Sequence, residues 1–120
     1  MEIKIDIRPR QGNVLLVNVR GKIGSETVEQ FKTQLDEIVD SGHSNLIMSL
    51  KEVTYINSYG LGALASILRR VKKEGGDLKL YGLSASVLEL LRLTRLIKQD
   101  KISSSGFEVY EDEEEALKAF

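Results

Sequence analysis

The chain has 120 residues, with 17 lysines and arginines against 18 aspartates and glutamates, and it contains no cysteine. This length fits one globular domain, and the net charge of −1 offers no general attraction for nucleic acid phosphates or for anionic lipid. Without cysteine there are no disulfides and no zinc-thiolate sites, and the lone His43 cannot supply a multi-histidine metal centre. Composition therefore predicts a protein with no metal, no cofactor and no nucleic acid partner.

Membrane and secretion signals are missing from the sequence. Its most apolar stretch, residues 61–68, stops at two arginines, well short of the roughly 20 residues that span a bilayer. The first residues alternate charge with isoleucine and lack the apolar core of a signal peptide. We expect a cytoplasmic protein without membrane contact.

The amino-terminal part of the chain predicts a hairpin. Isoleucine alternates with charged residues over 2–7, the period-2 pattern of a half-buried strand, and Pro9 ends it. Turn residues at 11–13 lead to an apolar, β-branched run over 14–19, which predicts a second, antiparallel strand. Residues 21–24 are expected to form a connection.

The period then changes to that of a helix. Apolar residues at helical spacing predict a first helix from Ser25, which stops at Gly42. A short apolar strand over 46–50 follows, and a loop is expected over 51–57. A second helix begins near Ser58, and five apolar residues form its buried stripe: Leu61, Leu64, Ile67, Leu68 and Val71.

The remaining elements continue the alternation of strands and helices. Two glycines at 75–76 close the second helix. Strand, helix, strand and helix are then predicted over residues 78–81, 84–93, 107–110 and 111–120. This order predicts one α/β domain over 1–120, with a mixed, mostly parallel sheet of four to five strands, an N-terminal hairpin and about four helices.

The segment from Ile56 to Gly62 is the best candidate for binding, because ligands of parallel sheets gather where strands end and helices begin. Free backbone N–H groups and the helix dipole at Ser58 favour an anion by about 0.3–1 kcal/mol, so a phosphate on this serine is well placed. A purely structural interpretation is that Ser58 or Asn57 only caps the helix.

The same residues also fit a looser pattern. Gly60, Gly62 and Ala65 match the G-x-G-x-x-G/A dinucleotide fingerprint. That fingerprint requires an acidic residue about 20 positions on, where residues 80–83 read Leu-Tyr-Gly-Leu. We interpret the match as close helix packing, in which Gly60 and Gly62 keep the surface low enough for a partner to approach.

Other candidate residues predict little chemistry. His43 is expected in a solvated loop, and the acidic run 111–115 is expected as the first turn of the last helix and not as a metal cluster. Arg92, Arg95 and Lys98 form a basic patch that is either a solvated face or a partner contact. No catalytic triad or carboxylate pair can be assembled, so the sequence does not indicate an enzyme.

The order of elements and the segment from Val53 to Gly62 resemble the bacterial anti-sigma factor antagonists. These are single-domain proteins of the STAS (sulphate transporter and anti-sigma antagonist) fold. Further similarity lies in residues 19–23, 46–50, 75–76 and 113–117. The resemblance covers almost the whole chain and implies a STAS domain over 1–120.

The resemblance implies a switch in partner binding. Such proteins bind an anti-sigma factor that is also a serine kinase of the histidine-kinase-like ATPase type, and they thereby free a sigma factor. Phosphorylation of the serine at the start of the second helix abolishes that binding. By position the phosphoacceptor is Ser58, and the contact surface adds Gly24, Ser25, Asn57, Tyr59, Gly60 and Leu61. The expected state is a monomer or a weak dimer.

This chain departs from the family pattern at three of those positions. Asn57 and Gly24 stand where aspartates are usual, and Tyr59 stands where a small residue is usual. Losing two carboxylates eases accommodation of a phosphate, but it removes contacts by which the usual kinase recognises its substrate. The glycine-rich start of the second helix leaves an alternative, a nucleotide-binding or small-anion-binding regulatory module of the same fold without a phosphorylation switch.

Overall fold

The computed structural model describes residues 3–96 and 106–120, in which five strands form one sheet in sequential order. The strands are β1 (Ile3–Pro9), β2 (Leu15–Ile23), β3 (Asn45–Ile56), β4 (Asp77–Tyr81) and β5 (Glu108–Tyr110). β1 pairs antiparallel with β2, and every later pair is parallel. The predicted α/β class, with its mixed sheet and opening hairpin, is confirmed.

Within the described residues, four α-helices connect or follow the strands: α1 (Val28–Asp40), α2 (Ser58–Lys73), α3 (Ala85–Leu93) and α4 (Glu113–Lys118). The main core contains residues of α1, α2 and α3 together with inward-facing residues of the sheet. The five predicted stripe residues of α2 are all buried in it. A smaller cluster, which includes Val14, Leu16, Ile47, Tyr81 and Ala116, packs α4 against the sheet.

Two predicted loops are strands. The connection expected over 21–24 and the loop expected over 51–57 were wrong except at Gly24 and Asn57, because the β2–β3 ladder continues to the pair Ile23 and Ile56. Register shifts and a positive φ of 114° at Gly21 let the paired strands continue beyond their apolar runs. The ends of both strands thus lie side by side.

Two helix starts also differ from the prediction. The first helix begins at Val28 and not at Ser25, because the residues between them form a turn held by the Thr27 side chain. The last helix begins at Glu113 and not at residue 111, because Asp112 is its N-cap and accepts a hydrogen bond from the Glu115 amide at 2.9 Å. Both differences follow from side-chain hydrogen bonds, within a turn before α1 and at the N-cap of α4, that periodicity does not reveal.

A charge network joins α1 to α2. Asp36 accepts hydrogen bonds from the Lys32 ammonium at 2.8 Å and from the Arg70 guanidinium at 2.9 Å, and Arg70 also contacts Asp40 at 2.8 Å. The hydrogen bond from Lys32 is the main cause that lowers the pKa of Asp36 below its ordinary value of 3.8, and Arg70 adds to it.

We expect Asp36→Asn to lower the free energy of unfolding by about 1 kcal/mol at neutral pH. Because the folded pKa is depressed, the carboxylate stabilises the fold above pH 3.8, and this contribution disappears as pH falls through the lower folded value. Urea unfolding of both proteins at neutral and at strongly acidic pH measures the difference. Asp40→Asn, which affects a more exposed partner of Arg70, is the control and should cost less; an equal cost would contradict the role of Asp36.

Candidate functional site

The site is built where two neighbouring parallel strands end. β2 ends at Ile23 and β3 ends at Ile56, and these residues are partners in the ladder. The chain turns into α1 after the first strand and directly into α2 after the second. The Asn57 amide donates to the Ile23 carbonyl at 3.1 Å, so a main-chain contact holds the start of α2 against the end of β2.

The turn before α1 is closed by one buried side chain. Thr27 is 2% exposed, and its hydroxyl donates to the Lys22 carbonyl at 2.6 Å and accepts from the Gly24 amide at 3.0 Å. The Gly24 carbonyl accepts from the amides of Thr27 and Val28 at 3.0 Å and 2.8 Å. These bonds give the Gly24–Ser25 corner a defined shape, which a docking surface requires.

Asn57 joins the two turns and caps α2. Its side-chain oxygen accepts from the Gly60 amide at 3.1 Å, and its side-chain nitrogen donates to the Ser25 hydroxyl at 3.4 Å. A side-chain acceptor at this position satisfies an amide that has no partner within the helix. Of the two residues that sequence analysis considered as the cap, Asn57 is the one that fills this role.

Ser58 is therefore not needed as a cap. It is the first residue of α2, it is exposed, and its hydroxyl makes no hydrogen bond to any residue that the structure describes. The first turn of α2 contains no acidic side chain, while its last turn carries Arg70, Lys72 and Lys73. The helix dipole favours negative charge at the Ser58 end. No carboxylate of that first turn would repel an anion placed there.

A shallow cleft of about 280 Å³ lies between the two turns. It is lined by Lys22, Gly24, Ser25, Glu26, Thr27, Tyr55 and Asn57. Tyr55 borders the cleft with half its surface exposed, and Tyr59 is 64% exposed at the start of α2.

Sequence analysis did not select Lys22 or Tyr55, because it placed both in loops. The missed signal is the continued pairing of β2 with β3, which brings Lys22 opposite Tyr55.

Three of the predicted contact residues are buried. Gly24 lines the cleft with little exposed surface, Leu61 is 4% exposed and packs in the core, and Gly60 is also buried. Gly60 and Leu61 thus shape the site from beneath, while Ser25, Ser58 and Tyr59 are exposed above it. The expectation that Gly60 keeps the outer surface low was wrong, because this residue faces β2 and β3.

The two glycines of α2 differ in their surroundings. A Cβ on Gly60 would lie 2.7 Å from side-chain carbons of both Ile23 and Ile56, whereas a Cβ on Gly62 would meet nothing within 4 Å. Gly60 therefore packs closely, as expected for the loose fingerprint match, and Gly62 does not. Both lie inside α2, so they leave no glycine turn for a pyrophosphate between strand and helix.

The other candidates lie outside this site. His43 follows α1 and is half-buried, and Arg92 and Arg95 are exposed within and after the end of α3, while Lys98 lies outside the described residues. In residues 3–96 and 106–120 no group of three histidine or acidic side chains is arranged to hold a metal ion. Over the same residues, no helix combines the length and apolar character needed to cross a bilayer.

Comparison with known proteins agrees with this architecture. The family model of the STAS domain matches residues 5–116. The chain belongs to the STAS domain family. The anti-sigma-B factor antagonist of Bacillus subtilis is a relative with 33% identity over 96 residues, which cover 80% of this chain and 86% of that protein.

Solved structures show the same STAS fold. A putative anti-sigma factor antagonist from Thermotoga maritima superimposes with a TM-score of 0.83 at 24% identity, covering 96% of this chain and 92% of that one. The phosphorylated form of the Bacillus cell fate determinant SpoIIAA gives a TM-score of 0.69 at 14% identity, with 97% and 98% coverage. At these identities the two likenesses concern the fold alone.

Proposed function

We propose that this STAS protein is an anti-sigma factor antagonist, a regulatory binding protein and not an enzyme, and that phosphorylation of Ser58 switches its binding off. The names of its relatives support the antagonist role. One observation carries the switch: the Ser58 hydroxyl is exposed and makes no hydrogen bond to a described residue at a helix N-terminus, while Asn57 does the capping. The serine can therefore be modified without removing a contact that the fold needs.

The proposed partner is an anti-sigma factor that is also a serine kinase, and it docks on the surface around the cleft. Tyr55 and Tyr59 offer exposed aromatic area at low conformational cost, and aromatic residues are enriched among the residues that dominate binding. Ser25 and Asn57 supply polar groups between them. Because Gly24 and Gly60 carry no side chain, neighbouring residues pack closely against the main chain beneath this surface.

Phosphorylation acts on the interface and leaves the fold intact. It adds a charge of roughly −1.5 to −2 and three acceptor oxygens. At the start of α2 that charge meets free amides and the positive end of the dipole, so the isolated domain accommodates it. A partner lying flush against Ser58 would have to desolvate the phosphate without a matching cation, which weakens binding.

The first test is calorimetric titration of the cognate anti-sigma factor with wild type, Ser58→Asp and Ser86→Asp. We expect Ser58→Asp to weaken binding about tenfold or more. Ser86→Asp is the matched control, because it places the same charge on an exposed serine in the first turn of α3, and it should bind like wild type. Loss of the cooperative melting transition in Ser58→Asp would refute an interface effect, and equal weakening by both variants would refute a site at Ser58.

The second test separates the switch from the antagonism. The protein is incubated with its cognate kinase and ATP, and the modified peptides are mapped. Label at Ser58, absent from Ser58→Ala, is the expected result. Label at another residue, or none, overturns the phosphorylation site while the antagonist role stands. Direct binding of ATP, GTP or NADH without a protein partner would favour the alternative of a nucleotide-binding module.

A further inference from the structure

The outer edge of the sheet is an open strand. β1 is the first strand of the sheet order, and no described strand pairs with its outer side. The Arg10 amide donates to the Val14 carbonyl of the hairpin at 2.7 Å, and main-chain groups alternate in direction along a strand. The even-numbered residues of β1 therefore bond to β2, and Ile3, Ile5 and Ile7 direct their N–H and C=O groups outward.

The outward groups lie between two clefts. On one side a cleft of about 530 Å³ is bordered by the charged residues of β1, and on the other a cleft of about 470 Å³ is bordered by Ile5, Ile7 and the end of α1. Ile7 is 48% exposed. Two outward carbonyls of β1 accept side-chain hydrogen bonds, that of Ile3 from the Gln30 amide at 3.2 Å and that of Pro9 from the Arg10 guanidinium at 3.2 Å, and a carbonyl can accept a second bond.

The charge order along this edge is complementary to itself. We propose that β1 pairs antiparallel with β1 of a second copy of this chain, with Ile5 opposite Ile5. In this register Lys4 lies opposite Asp6 in both directions, and Ile3 lies opposite Ile7. Lys4 and Asp6 then form the pairs without direct main-chain bonds, in which side chains approach most closely.

Neighbouring registers place like charges together. A shift of the partner by two residues sets Asp6 opposite Asp6 and Lys4 opposite Arg8, and the opposite shift sets Lys4 opposite Lys4. A shift by one residue sets an outward-facing residue opposite one that is bonded to β2, which breaks the ladder. Parallel pairing in register would also set each charge against itself. Among the registers within two residues of it, the charges of β1 thus favour the one with Ile5 opposite Ile5.

This interface is separate from the proposed docking site. None of the residues lining the cleft beside Ser58 belongs to β1. Pairing of the two edges would join two five-stranded sheets into one continuous sheet and cover the exposed main-chain groups that make an open edge prone to aggregation. The dimer should therefore form with wild type and with Ser58→Asp alike.

Charge variants test the register directly by sedimentation velocity over a range of protein concentrations. Lys4→Glu sets a glutamate opposite Asp6, and Asp6→Lys sets a lysine opposite Lys4, so each variant alone should dimerise about tenfold or more weakly than wild type. A mixture of the two variants relieves the like-charge contacts by pairing the new glutamate with the new lysine, and it should form the heterodimer. Lys73→Glu, at an exposed position of α2, is the control and should dimerise like wild type.

Amide hydrogen exchange supplies a second measurement on the unmodified protein. The Ile5 and Ile7 amides should become protected as the protein concentration rises, because they gain partners only in the dimer. A protein that stays monomeric at millimolar concentration overturns the proposal, and so does a variant mixture that associates no better than its components. Protection that does not change with concentration also overturns it.

Discussion

Replacing Gly60 with alanine is expected to lower the free energy of unfolding by about 2 kcal/mol, while the same change at Gly62 is expected to raise it by up to about 1 kcal/mol. The added Cβ at Gly60 would lie 2.7 Å from carbons of Ile23 and Ile56 and 2.9 Å from the Ile23 carbonyl oxygen. Both isoleucines are buried, so neither side chain can move aside cheaply. At Gly62 the Cβ meets nothing, and alanine has the higher helix propensity.

The Gly60 prediction can be checked by denaturant unfolding of the two variants beside wild type. Because Gly60 supports the ends of β2 and β3, its alanine variant should also weaken partner binding at a temperature where the fold persists. Gly62→Ala should leave binding unchanged unless the partner covers that exposed position. Equal stability of the two variants would contradict the close packing of α2 on the strand ends.

Replacing Lys79 with methionine is expected to cost about 3 kcal/mol of unfolding free energy, because it leaves two carboxylates without their shared cation. Lys79 is 4% exposed, and its ammonium donates to Asp77 at 2.8 Å and to Glu108 at 2.9 Å. The ring of Phe120 lies 4.7 Å from the same nitrogen. Tyr110 donates to Glu108 at 2.6 Å, and burial together with that carboxylate raises the pKa of its phenol.

The pH dependence of this effect follows from the pKa of Lys79. Burial lowers the pKa, but the hydrogen bonds to Asp77 and Glu108 outweigh burial and raise it above the ordinary 10.5. The cation's contribution is therefore complete below pH 10.5 and is lost only as pH rises through the folded value. Thermal or urea unfolding should show a constant difference between wild type and variant from neutral pH up to that point.

Lys72→Met is the matched control for Lys79. Lys72 also contacts Asp77, at 3.2 Å, but its side chain is 38% exposed, so its loss should cost under about 1 kcal/mol. A cost at Lys79 no larger than at Lys72 would contradict the importance of the buried cluster. Since this cluster joins β4 and β5, its loss should affect stability and leave the docking surface near Ser58 unchanged.

Local pattern predicted the buried stripe of α2 well, but it predicted two helix starts and the strand ends poorly. The five stripe residues of α2 are all buried, because helical period is a property of neighbouring residues and needs no partner. Residues 51–56 looked like a loop because Lys51 and Glu52 interrupt the apolar run that ends at Leu50. They form a strand because main-chain pairing with β2 supplies their hydrogen bonds, and that pairing depends on a distant segment.

Sequence analysis treated Gly60 and Gly62 as equivalent. Two positions along a helix differ by roughly 200° in direction, so one glycine faces the sheet and the other faces solvent. Sequence analysis also could not tell which residue caps α2, because asparagine and serine are both favourable at an N-cap. The contacts of Asn57 with Gly60 and Ser25 distinguish the cap from the exposed serine that follows it.

The sequence by itself determined the order of strands and helices, the start of α2 at Ser58 and the absence of thiol and multi-histidine chemistry. These properties depend on residue types and on periods within one segment. The tertiary structure decided that the Gly24–Ser25 corner meets Asn57, that Tyr55 borders a cleft, and that β1 is the first strand in the order of the sheet. These contacts join segments that are far apart in the chain. They depend on the register of the strand ladder, which is a non-local property.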